Sequence, residues 1–96
     1  QMEATMKKLL LNAGWPGVYR LNIVDKDWWY DRASGGDSPI VGRHIAAAAL
    51  YKDTDGKYYY RVCTFDQRKL ISGGFGALEL TDQGRKIPIP AENIDK

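Results

Sequence analysis

The only histidine, His44, and the only cysteine, Cys63, are the side chains best suited to proton transfer and nucleophilic attack. Whether they can act together depends on the chain between them, where Asp53-Thr54-Asp55-Gly56-Lys57 carries a β-hairpin signal, with glycine where the backbone needs a positive φ. A three-residue loop sets Ala47 opposite Cys63, Ala48 opposite Val62 and Ala49 opposite Arg61, and a two-residue Asp55-Gly56 turn shifts each pairing by one. In both registers Cys63 lies three or four residues along the strand from the position of His44. At ~3.3 Å per residue the gap is roughly 10–13 Å, beyond direct proton transfer. Cys63 therefore reads as a small buried hydrophobe.

The remaining chemical groups are sparse. Asp25/Asp27 and Asp53/Asp55 have no neighbour in sequence that would make either an acid–base pair. Asp53-Thr54-Asp55-Gly56 resembles a fragment of a calcium loop but lacks the other ligands and the closing glutamate, so a turn explains it. Gly73-Gly74-Phe75-Gly76 precedes a strand rather than a helix, which suits a bulge or wide turn better than a phosphate cradle. A lone cysteine allows no intrachain disulfide and no cysteine-based zinc site. The expectation is a domain without catalytic residues, metal or cofactor.

Aromatic residues are the better functional candidates. Trp28, Trp29 and Tyr30 cannot all face inward on a strand, because consecutive side chains alternate. At least one is then partly exposed, and with Arg32 beside it the composition is that of an interface hot spot. Tyr58, Tyr59 and Tyr60 open the second hairpin strand, opposite a run of alanines. Trp28, Trp29, Tyr30, Arg32, Tyr58 and Tyr60 are therefore the expected partner-binding residues. The first expectation is a non-catalytic domain that binds a protein, or itself as a homodimer. A single-strand nucleic-acid platform using Arg20 and Arg61 is the second, and a ligand pocket between helix and hairpin is the third.

These residues need elements to carry them. Met2, Met6, Leu9, Leu10 and Ala13 recur at helical spacing, and Gly14 with Pro16 gives a stop, predicting a helix over about Glu3–Asn12. Strands are predicted over Val18–Val24, Trp28–Tyr30, Arg43–Lys52 and Tyr58–Phe65, with a short one over Lys69–Ser72. Ala77–Thr81 and Arg85–Ile89 are expected to pair around Asp82-Gln83-Gly84, with Pro88 and Pro90 marking an edge. Ala33–Pro39 is the clearest loop, and Ala91–Lys96 is expected to make one short turn. One N-terminal helix with five to six short strands suggests an α+β, mainly β fold: a small antiparallel barrel or a strongly bent sheet.

With 96 residues the chain has room for one core, and a domain of this size buries roughly 60–65% of its unfolded surface. Gln1 reads as foreign to the domain, expected to run from Met2 to Lys96. A 44% hydrophobic and 27% charged composition is that of a globular protein. A net charge of +2, from fourteen basic and twelve acidic residues, demands neither a polyanion nor a membrane. Few cysteines, no glycosylation sequon and no long apolar run point to a cytoplasmic protein.

Three segments carry resemblances. Gly84–Ile94 resembles the closing strand and turn of SH3-like barrels, although the tryptophans stand in a different order here, and this favours a small barrel. Leu80–Arg85 resembles a segment of winged-helix proteins, without the pair of helices that precedes it there. Lys57–Val62 is similar to an RNA-recognition strand, without that motif's glycines.

Overall fold

The computed structural model describes residues 2–34 and 36–90. Their element order is α1 (Met2–Asn12), β1 (Val18–Ile23), β2 (Trp29–Arg32), β3 (Ile40–Lys52), β4 (Tyr58–Lys69), β5 (Phe75–Gln83) and β6 (Ile87–Ile89). The expected terminal turn over Ala91–Lys96 lies outside the described residues, as does Gly35 of the Ala33–Pro39 loop.

The hairpin of β3 and β4 is the spine. Its register, Ala47 to Cys63, Ala48 to Val62 and Ala49 to Arg61, is the one set by the three-residue loop. Asp53 N–H donates to the Lys57 carbonyl and Gly56 N–H to the Asp53 carbonyl, with Gly56 at φ 83°. Only glycine takes that conformation without strain.

Both edges of the spine are broken columns. β1 and β2 pair with the two halves of β3, and β6 and β5 with the two halves of β4, all antiparallel. At the first break Val24 N–H donates to the Ala46 carbonyl, while Asp25 accepts from Ala46 N–H at 2.8 Å. A side-chain carboxylate thus replaces the missing backbone acceptor at this partly buried amide. At the second break Gly84 N–H donates to the Val62 carbonyl at 2.9 Å, so the chain continues along β4 instead of folding back. A Cβ on Gly84 would lie 2.7 Å from that carbonyl oxygen.

The sheet is therefore open, not a barrel and not strongly curled, and the SH3-like expectation of closure is not met. Edge columns that pair only inward leave nothing to close the ring. β5 and β6 do not pair with each other as expected, because both spend their hydrogen bonds on β4. Nor does Lys69–Ser72 form a separate strand. β4 runs on to Lys69, and Leu70–Gly74 is the turn into β5, with Gly73 and Gly74 at positive φ. Pro88 does sit on an edge, since β6 has a neighbour on one side only.

α1 covers one face. Met6 and Leu10, one helical turn apart, are fully buried against Leu21, Ile45, Ala47, Ala49, Tyr51, Cys63 and Phe65. Ala47 and Ala49 have no exposed surface, and their small side chains let the helix approach. Trp15 N–H reaches back to the Leu10 carbonyl and Gly14 N–H to that of Leu11, a Schellman stop with Gly14 at φ 95°. This stop and the packing of α1 on the sheet fix where Trp15 enters the core.

Candidate functional site

Alternation along β3 and β4 sends odd-numbered residues such as Ile45, Ala47, Ala49, Cys63 and Phe65 under the helix. Even-numbered ones point to the other face, which no helix covers among the described residues. Across that face run Leu50 beside Tyr60, Ala48 beside Val62 and Ala46 beside Thr64. β6 brings Ile89 beside Tyr58 and Ile87 beside Tyr60. Tyr19, at the bulge in β1, meets Tyr58 edge-on with ring centroids 5.9 Å apart, and is 51% exposed. Arg20 lies over the Tyr19 ring and Lys52 over that of Tyr58, so this end is aromatic and basic.

The opposite end is polar and acidic. Trp29, 61% exposed, stacks parallel on His44, and His44 Nδ1 lies 2.9 Å from Asp31 Oδ1. His44 is opposite Asp66, which is opposite Glu79, and Thr81 Oγ1 donates to Asp66 at 2.6 Å. Asp31, Asp66, Arg68, Glu79 and Thr81 line a shallow dish of about 250 Å3. An aspartate on imidazole Nδ1 is the arrangement that orients a general base. Here His44 meets Asp31, Trp29 and its strand neighbours, and none of these offers a hydroxyl or thiol nucleophile.

Cys63 lies on the helix side, three pairs along from His44 and on the other face. Burial pushes its thiol above the ordinary value, which disfavours the thiolate. No cluster of histidine, cysteine and acid side chains able to hold a metal occurs among the described residues. Within them, no helix is long and apolar enough to cross a membrane.

The six sequence candidates fall into three places. Trp29, Tyr58 and Tyr60 share the uncovered face but occupy its opposite ends, since Trp29 is opposite His44 and Tyr60 opposite Leu50. Trp28 and Tyr30 lie on the helix side around Arg43, whose guanidinium is 4.0 Å from the Trp28 ring centre and 4.1 Å from that of Phe75. Arg32 donates to the Ser38 carbonyl at 2.7 Å and holds the loop that precedes β3. Arg61, expected beside the tyrosines, also lies on the helix side. It packs over Trp15 and donates to the Gly84 carbonyl at 2.6 Å.

Sequence reading missed Tyr19, Leu50, Val62, Ile87 and Ile89 on the uncovered face, and Arg43 with Phe75 on the other. Leu50 and Val62 were within reach of the hairpin register, which puts them on the side of Tyr60. The β6 residues were not, because their partner strand was misassigned. Leu70 and Ile71 form a further exposed apolar tip, at the β4–β5 turn. No family model matches the chain, and no curated protein or solved structure matches it significantly.

Proposed function

We propose that the chain is a non-catalytic binding domain that recognises protein through the uncovered face of its sheet, with a second copy of itself as partner. The observation that carries this reading is the charge division of the face. Arg20 and Lys52 flank the tyrosine end, while Asp31, Asp66 and Glu79, tempered by Arg68, occupy the other. A twofold axis lying between two such faces, across the strands, sets the basic end of each copy over the acidic end of the other. Ala48 and Val62 would then meet Ala46 and Thr64 of the other copy at the centre, with Leu50 and Tyr60 over its His44–Asp66 row, in a two-sheet sandwich with a helix on each outer side.

The size of the face sets the strength. Four strand columns at ~4.8 Å and eight residues at ~3.3 Å give about 500 Å2 per copy. Two such faces bury about 1,000 Å2, the lower bound for a specific interface, so the pair is weak and concentration-dependent. Nucleic acid suits the face less well, because the acids would meet the same phosphate chain that Arg20 and Lys52 attract. The non-catalytic part of the reading rests on His44 and Cys63 lying on opposite faces.

Sedimentation equilibrium from about 10 µM to about 1 mM tests the proposal, a range chosen to bracket weak association. Rising mass that Leu50→Glu abolishes is expected. A monomer throughout contradicts it.

A further inference from the structure

A second binding feature lies on the helix side, independent of the uncovered face. Between the first turn of α1 and the start of the hairpin is a notch of about 410 Å3, lined by Met2, Thr5, Trp28, Arg43, Gln67 and Leu78. Its volume is within the range of small-molecule clefts. The walls are largely apolar, and one fully charged group, the Arg43 guanidinium, faces in.

That guanidinium is fixed on three sides. It lies over the rings of Trp28 and Phe75, with centroids 4.0 Å and 4.1 Å away, and Arg43 Nε donates to Gln67 Oε1 at 2.8 Å. No carboxylate among the described residues pairs with it. No buried side-chain nitrogen there lacks a hydrogen-bond partner, so the two terminal Nη groups, which bond to no described residue, reach solvent in the notch. Gln67 spends its carbonyl oxygen on Arg43 and so keeps its amide N–H donors for the same space. The result is an immobilised fork of donors at the polar end of an apolar notch. A flexible surface arginine would lose rotamer entropy on binding, and this one has already lost it.

We infer that this notch binds a small organic acid: a single carboxylate, held by Arg43 Nη and Gln67 Nε2, on an apolar body that lies against Trp28, Met2 and Leu78. One planar carboxylate matches one guanidinium edge and balances its charge. A phosphate brings a second charge and a third oxygen, for which the lining offers no second cation. The apolar walls select against small hydrophilic acids such as formate, which would leave the Trp28 and Leu78 surfaces wet.

The experiment compares 3-phenylpropionate and octanoate with their primary amides, titrated into the full chain and followed by the indole N–H and arginine Nε–H signals in 1H–15N spectra. Expected is binding of each acid about tenfold tighter than its amide, a charge-assisted against a neutral hydrogen bond, with shifts centred on Trp28 and Arg43. Arg43→Lys keeps the charge, loses the fork, and should weaken the acids about fivefold or more without changing the amides. Gln67→Glu, which leaves the stacked arginine in place, should weaken the acids at least as much, because its carboxylate pairs with Arg43. Equal affinity for acid and amide, shifts that bypass Trp28, or no binding of either acid at about 10 mM would each overturn the assignment. Either variant alone suffices if the other fails to fold. Neither outcome depends on whether the chain pairs through its opposite face.

Discussion

Ala47 and Ala48 are adjacent and chemically identical, yet the fold gives them opposite fates when enlarged. Ala47 has no exposed surface and lies beneath α1, with Ile23 on one side and Cys63 on the other. Ala48 points to the uncovered face between Asn22 and Val62, where added carbons extend into solvent. Leucine at 47 adds three carbon atoms to a filled core, so α1 must lift or neighbouring rotamers must strain. Overpacking of this kind costs about 1–3 kcal/mol. In a domain of this size each kcal/mol moves Tm by about 4–8 °C, so Ala47→Leu should lower it by about 5–20 °C. Leucine at 48 loses no contact and has the better strand propensity, so its effect should stay within about 0.5 kcal/mol. Thermal and urea unfolding followed by circular dichroism at about 10 µM, low enough to suppress weak association, reads both variants. An equal loss at both sites, or a larger loss at 48, would refute the assignment of the covered face and with it the proposed recognition surface.

Two further outcomes follow from the edges of the sheet. Gly84→Ala places a Cβ against the Val62 carbonyl, which the backbone cannot relieve while Gly84 N–H donates to that oxygen. Release of the β5–β6 crossover and of the Arg61 bond to Gly84 should cost about 1–3 kcal/mol in urea unfolding, and a stable variant would contradict that close approach. At the hairpin turn, a hydrogen bond from Lys86 and another from Thr54 N–H hold the Asp53 carboxyl below its ordinary value. The stability it contributes is present above about pH 4, where the unfolded carboxylate is ionised, and is lost as pH falls through the lower folded value. Wild-type urea midpoints should therefore decline more steeply below about pH 4 than those of Asp53→Asn, and parallel curves would contradict the pair.

The parts of this fold that local chemistry specifies were legible in the sequence. Asp53–Lys57 dictates its turn, and the turn sets the register of every pair in the spine, including the separation of His44 from Cys63. The helix and its stop follow from Met6, Leu10 and Gly14. Partner choice at the edges was not legible. Asp82-Gln83-Gly84 has the composition of a hairpin turn, but the Gly84 amide bonds to Val62, distant in sequence, and the chain runs straight on. Asp25 likewise reads as a loop acid, and its task at Ala46 N–H exists only once β1 and β2 share one neighbour. Alternation showed that Trp28, Trp29 and Tyr30 must divide between faces, but not which face each would take. The Trp28–Arg43–Phe75 stack joins three separate elements and left no pattern along the chain.

The recognition surface itself is tested most directly by diluting labelled protein from about 1 mM to about 10 µM while recording 1H–15N spectra, a span that empties a weak dimer. The proposed pairing predicts shifts at Leu50, Tyr58, Tyr60, Val62 and Trp29 that saturate together and vanish in Leu50→Glu. Spectra that do not change with concentration, or that change only around α1 and Arg43, would contradict it.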